Sequence, residues 1–440
     1  MTSRVDSSIW WLHPACVVGT SGLLIGSAAY VIPESIYRNH WRTPKFFELS
    51  ALEVTLACVA VFVFGAVLSQ AFISRTRPRV QAHGRDEAMP WRMIALLFQV
   101  SFYLCLVGYA LWIGLAVERG MSLTNVVDIL KGEKGAMYDA RFTYLPTVGG
   151  VTTLTQFGTA AMILGAILAF GQGWKTVRWK LGTVLGLAVV RALLNSERFA
   201  LIELVVPFMV CCIALLPRMS SLARLAINLA PPVGLIVLFI LFTGFEYFRS
   251  WTNYYAGRDL SLWEFGAMRL LGYYVTSFNN GAYFLNRLDP LNAPYFTFHF
   301  LWGFPLSSPV IKRLFPNPLL DSADKWFYFP FLESDANVEF NNADGMLFPL
   351  MDYGIAGGLI YWFVIGVLCG LIYDAYRRKT LSGLLLYPMI FLGLLELPLA
   401  LYWGEGRAFP SICLLAATPV LIWLRRVLPT ALPTATCEAR

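Results

Sequence analysis

Arginines set among aromatic rings and carboxylates are the residues of this chain best suited to chemistry. Arg191 lies within an apolar stretch, where insertion scales put the cost of a cation at about 2.5–3.5 kcal/mol. Arg198 follows nearly two helical turns later, so a continuous helix carries both on one face, with Glu197 and Glu203 close by. Two roles suit such a set: an internal ion-pair network, or a pair of guanidiniums aimed at a phosphate or carboxylate. Arginine fits the second because its planar fork binds phosphate oxygens in pairs. Arg249, Arg258 and Arg269 come next, interleaved with Trp251, Tyr254, Tyr255 and Trp263 and followed by Asn279, Asn280 and Tyr283. Aromatic faces alternating with polar edges suit sugar binding, and equally an interfacial aromatic belt. Arg141, with Tyr138, Asp139 and Tyr144, offers a further anion contact or a loop salt bridge.

Carboxylates gather further on, from Glu333 to Asp344, with Asp352-Tyr353-Gly354 after them. Such groups serve as a general base, bind a cation, or form a solvated acidic face. Asp344 is the first candidate base, because Gly345 lets the backbone approach a substrate closely, and Glu339 is another. Asp352 suits the cap of a helix starting at Gly354. His299, between Arg249 and Asp352, ranks behind the carboxylates. Glu396 lies within an apolar run, with Glu405 and Arg407 in the turn beyond, where Arg407 can neutralise one of them. The sequence has no Walker A, dinucleotide fingerprint, nucleophile elbow, HExxH or DxD motif. No nucleotide, cofactor or metal is expected, and no Cys/His spacing implies zinc.

The elements that must position these residues are membrane spans. Hydrophobic residues make up 57% of the 440, charged residues 14%, and mean hydropathy is +0.60. Lipid must be the solvent of such a chain. Apolar runs of about 20 residues place spans at Trp10–Ile32, Leu49–Ile73, Met93–Val117, Gly149–Phe170, Leu225–Phe245, Gly354–Tyr373, Leu384–Trp403 and Phe409–Leu424. Leu181–Leu216 is too long for one helix and carries Asn195-Ser196-Glu197-Arg198 near its middle, so it reads as two spans joined by a polar turn. The total is about ten. Basic clusters at Arg75–Arg79, Lys175–Lys180, Arg218–Arg224, Arg377–Lys379 and Arg425–Arg426 then share one side, the cytoplasm, along with both termini. The net charge of +7 comes from these clusters and implies no nucleic-acid partner. The expected fold is an all-α polytopic membrane protein: spans one to seven over 1–245 with a smaller outer loop at 118–148, a large outer loop at 246–353, and spans eight to ten with a cytoplasmic tail over 354–440. The large loop is too rich in aromatics to be disordered, and long ordered loops are usually functional.

The segment Asn341-Asn342-Ala343-Asp344-Gly345 leads through Phe348 to Asp352-Tyr353-Gly354-Ile355-Ala356-Gly357. It resembles the region before a late transmembrane helix in bacterial oligosaccharide repeat-unit polymerases, the O-antigen polymerase (Wzy-type) family. Ser196-Glu197-Arg198 between two mid-chain spans, and Tyr273-Tyr274-Val275-Thr276-Ser277-Phe278-Asn279-Asn280 in an arginine-opened loop, are similar too. The resemblance implies a GT-C-like fold in the bacterial inner membrane. It implies metal-independent glycosyl transfer between undecaprenyl-diphosphate-linked oligosaccharides at the periplasmic face, in O-antigen or exopolysaccharide synthesis. Arginines would hold the diphosphate, and a chain-length regulator and a flippase would be partners. Arg191, Arg198, Arg249, Arg258 and Arg141 are the expected diphosphate contacts. The expected base comes from Asp344, Glu339, Asp352 and His299. An O-antigen ligase shares the donor and the loop architecture, and a lipid-linked oligosaccharide flippase is the alternative of a different class.

Overall fold

The computed structural model describes residues 9–76, 89–195, 197–217, 219–255, 257, 260–304, 306–317 and 329–427. Among them all regular structure is helical. The main helices are α1 (Pro14–Val31), α2 (Leu49–Thr76), α3 (Trp91–Glu118), α4 (Phe157–Gln172), α5 (Arg178–Asn195), α6 (Phe199–Leu215), α7 (Ala230–Glu246), α8 (Leu262–Arg287), α9 (Phe348–Arg377), α10 (Leu381–Glu396) and α11 (Phe409–Val427). Among the described residues six segments are long and apolar enough to cross a membrane: Pro14–Val31, Leu49–Phe72, Trp91–Glu118, Val151–Gln172, Ala230–Tyr255 and Phe348–Arg377. Phe199–Leu215, Leu381–Glu396 and Phe409–Leu424 are shorter apolar helices.

Lipid offers apolar side chains no hydrophobic reward for leaving it, so packing between spans relies on close approach. The α2–α9 pair shows how. Gly366 and Gly370 lie one turn apart on α9 and face the backbone of α2. A Cβ added at Gly366 would stand 2.3 Å from the Phe62 carbonyl oxygen, and one at Gly370 2.5 Å from that of Ala66. α4, rich in Gly and Ala, is the most enclosed of the six and lies among α3, α5, α6 and α11.

The long run Leu181–Leu216 does fold as two helices, α5 and α6, parted at the polar turn. α7 begins later than hydropathy suggested. A short amphipathic helix, Ser221–Asn228, precedes it, and Pro in the first turn of α7 marks the start. Beyond Glu246 the chain continues in wider helical turns over Tyr247–Tyr255.

One expectation is borne out at α9 and one is corrected. Gly354, with φ 72° and ψ 176°, breaks the run into a short first segment from Phe348 and the long helix that the sequence places from Gly354 onward. Only glycine adopts that backbone freely. Asp352 does not cap that helix. Its carboxylate instead accepts the N–H of Phe296 (3.0 Å) and the N–H and hydroxyl of Thr297 (2.8 Å each), clamping the preceding loop to the bundle.

α8 organises the 246–347 segment. Its start is written in sequence as Ser261-Leu262-Trp263-Glu264, a capping box in which Ser261 and Glu264 satisfy each other's backbone N–H. At 1.5 Å per residue it is about 39 Å long. It runs from the end of α7, where Tyr273 packs on Phe242, past α1, to the turn before α9, where the Asp344 N–H donates to the Ser277 carbonyl.

Gly366→Leu should drive a side chain into the Phe62 backbone and cost about 1–3 kcal/mol or more. Thermal unfolding in detergent checks it: the midpoint should fall well below that of a Leu introduced at exposed Ile360.

Candidate anion site

Three guanidiniums converge on one buried carboxylate. Glu246, fully enclosed at the end of α7, has Arg198 Nη2 at 3.3 Å, Arg249 Nη1 at 3.5 Å and Arg269 Nε at 3.5 Å. Ser250 Oγ donates to it at 2.6 Å. Local sequence explains each position. Arg249 is one turn beyond Glu246, Arg198 ends the α5–α6 turn, and Arg269 and Tyr273 are one turn apart on α8. Arg249 donates to the Tyr273 hydroxyl at 3.3 Å. The Arg198 guanidinium lies 3.9 Å from the centre of the Phe242 ring, and that of Arg269 lies 4.8 Å from the centre of Phe340. Glu339 joins from the turn before α9, with its Oε1 2.8 Å from Arg269 Nη2.

The charges do not balance. Among the described residues three arginines face two carboxylates, leaving one positive charge over. The buried Arg198 Nη1 has no acceptor among the described residues. A buried donor left unsatisfied costs about 1–3 kcal/mol. A cluster with surplus charge, spare donors and loose 3.3–3.5 Å contacts to its carboxylate suits an anion that accepts from several guanidiniums at once.

Arg191 does not join this cluster. It donates to Glu197 at 2.8 Å and to Thr155 at 2.9 Å, within a second network. There Arg407 grips Glu203 at 2.7 and 3.0 Å and Glu197 at 2.8 Å, while Tyr402 donates to Glu203 at 3.1 Å. Two arginines meet two carboxylates, so charge is balanced. Burial pushes the Glu197 carboxyl up, but Arg407 and Arg191 outweigh it and hold the group below the usual range. This second network ties α5, α6 and the α10–α11 turn together. Arg407 pairs directly with Glu203 and Glu197, while the neighbours that sequence proximity suggested, Glu396 and Glu405, feel its charge at longer range.

The remaining expected site residues divide. Arg258 lies outside the described residues. Arg141 is exposed on the smaller loop, its guanidinium over Phe142. Trp251 and Tyr255 flank Phe265, and Tyr254 is exposed beneath the Lys134 ammonium, so aromatic surface does adjoin Arg249. Asn279, Asn280 and Tyr283 are not available to a sugar. Asn279 accepts the N–H groups of Phe46 and Phe47 and donates to the Pro44 carbonyl, and Asn280 donates to the carbonyls of Phe340 and Asn342. Tyr283 donates to Asp335. All three are buried, holding loops onto α8.

Among the candidate bases, Asp344 is wholly enclosed, and one carboxylate oxygen accepts the Met346 N–H at 2.9 Å. Burial holds its carboxyl well above the usual range, and no part of it is open to a substrate. Asp352 is committed to its loop clamp. His299 packs edge-on against Tyr295, and burial pushes its imidazole down to about 4. Glu339 alone of the four stands at the arginine cluster and keeps partial exposure. Sequence reasoning missed Glu246, though a carboxylate three residues before Arg249 at the end of a span was a usable signal.

Comparison with family models, with curated proteins and with solved structures finds no match.

Glu246→Gln should leave the arginines facing each other and destabilise the protein by roughly 3–5 kcal/mol. Thermal unfolding in detergent checks this, and added inorganic diphosphate should restore part of the loss. His299 gives a pH test. Its folded pKa lies below its unfolded one, so the stability it contributes is present above about 6.5 and lost as pH falls toward 4. A His299→Phe protein should show a smaller drop in unfolding midpoint over that window.

Proposed function

We propose that this protein is a membrane glycosyltransferase that joins undecaprenyl-diphosphate-linked oligosaccharide repeat units. In this reading about ten spans of a GT-C-like fold sit in the bacterial inner membrane, with both termini in the cytoplasm and residues 246–353 in the periplasm. The observation that carries it is the unbalanced cluster of Arg198, Arg249 and Arg269 around Glu246. It lies at the end of a span, the level at which a lipid diphosphate sits, and its partners are the arginine forks that phosphate oxygens fit.

The acceptor hydroxyl oxygen attacks the anomeric carbon of the donor sugar. The bond from that carbon to the diphosphate oxygen breaks, and the electron pair leaves with the diphosphate, whose developing charge the three arginines stabilise. Glu339, 2.8 Å from Arg269, takes the hydroxyl proton. Trp251, Tyr254 and Tyr255 supply ring faces for the sugars. The diphosphate is already a good leaving group, so the step needs no nucleotide.

Loss of the gene should abolish the polysaccharide ladder and leave single repeats attached to their final acceptor. Loss of single repeats as well would point to a ligase. With purified protein in liposomes, Glu339→Gln should slow polymerisation by about 10²–10⁴-fold, measured well below its unfolding midpoint, since losing the Arg269 ion pair also lowers stability. Arg198→Lys and Arg269→Lys, which keep charge but lose the fork, should also slow it sharply. Normal rates in all three would overturn the assignment.

A further inference from the structure

At the opposite end of α8 a cleft of about 420 Å³ opens between α2, α9 and the chain leaving α8. That volume falls in the range of small-molecule sites. Its walls are apolar, with Ala51 and Val54 from α2 and Met351 and Ile355 from α9. Its rim is polar, formed by Asn286, Arg287 and Asp289, all exposed.

The cleft is built by hydrogen bonds and one backbone break. At Gly354 the chain turns through φ 72°, so the first turns of α9 and the rest of the helix do not form one continuous wall. The far wall is fixed because Leu291 donates to the Met351 carbonyl at 2.8 Å and Asp352 clamps Phe296 and Thr297. Ile355 is 54% exposed, so the mouth continues onto the outward apolar face of a membrane-spanning helix. An apolar chain can enter sideways from the bilayer. Arg287, its guanidinium 5.9 Å from the centre of the Tyr283 ring, feels the Asp335 carboxylate at longer range but forms no close ion pair with a described carboxylate.

We infer that this cleft holds the lipid anchor of a second polyprenyl-diphosphate substrate, the acceptor, with its isoprenoid chain against Val54, Met351 and Ile355 and its diphosphate at Arg287. The inference rests on the polymerase reading above. In transfer between two lipid-linked saccharides, the attacking hydroxyl belongs to the sugar farthest from the acceptor's own diphosphate. The two diphosphates must therefore lie about a saccharide's length apart while the reacting atoms meet. Arg269 and Arg287 are eighteen residues apart on one helix, which sets them about 27 Å from each other. α8 acts as the ruler: donor diphosphate at its first half, acceptor diphosphate at its last turn, the acceptor saccharide spanning between. Asn286 and Asp289 offer donors and acceptors to the first sugar beside the anchor.

The test uses full-length protein in nanodiscs with a photoreactive polyprenyl diphosphate that carries no sugar, counted by native mass spectrometry and mapped by cross-linking. Wild type should bind two probes, one labelling Val54 or Ile355 and one labelling the 246–273 region. Arg287→Gln, an exposed change, should weaken cleft labelling by about tenfold or more and leave the other label intact. Arg269→Gln should do the reverse. One probe only, at the arginine cluster and indifferent to Arg287→Gln, overturns the cleft assignment and leaves the polymerase reading standing. No probe at either site overturns both. Cleft labelling that phosphatidylglycerol displaces as well as unlabelled polyprenyl diphosphate does marks an ordinary lipid groove and also overturns the inference.

Discussion

A carboxylate buried at the end of a membrane span is expensive unless cations meet it, and Glu246 is met by three. Much else hangs on that meeting. The Ala230–Tyr255 segment is the least buried of the long apolar segments and packs chiefly on α8. Glu246 is what fastens it, because Arg198 reaches across from the start of α6 and Arg269 from α8. Through Arg269 the tie extends to Glu339, and so to the turn that feeds α9. One side chain thus links four parts of the chain that are distant in sequence.

The α5–α6 turn joins this cluster to its neighbour. Glu197 belongs to the balanced network with Arg191, Arg407 and Glu203, while the next residue, Arg198, belongs to the unbalanced one. The balanced network has every charge answered at 2.7–3.0 Å and works as a clamp between helices. The other keeps looser contacts and a surplus positive charge. A rigid clamp beside a charged cluster is an arrangement that holds a site ready, since guanidiniums fixed in place need not reorganise when an anion arrives.

The bundle was legible because hydropathy reports what lipid demands, and most spans seen in sequence reappear as helices, although Leu384–Trp403 ends as a helix at Glu396 and Leu225–Phe245 starts only at Ala230. Even the split of Leu181–Leu216 could be read, because Asn195 to Arg198 place four polar residues in an apolar run. α8 was not read as a helix, although its capping box and aromatic spacing were there; its buried polar residues look like a loop until Asn279 and Asn280 are seen holding loops against it. The arginines were visible as a group, but not their partners. Which carboxylate answers which arginine depends on helix packing between residues as far apart as Glu203 and Arg407. For the same reason Asp344 and Glu339, alike in sequence, have opposite surroundings: one is sealed behind α8, and the other reaches the arginines.

The claim that the surplus charge around Glu246 exists to hold a lipid diphosphate is tested most directly by cryo-electron microscopy of the protein in nanodiscs containing undecaprenyl diphosphate. The account predicts phosphate density within hydrogen-bonding distance of Arg198, Arg249 and Arg269, with the isoprenoid chain running down into the bilayer. Diphosphate density elsewhere, with the three arginines still closed on Glu246 and Glu339 alone, would contradict it.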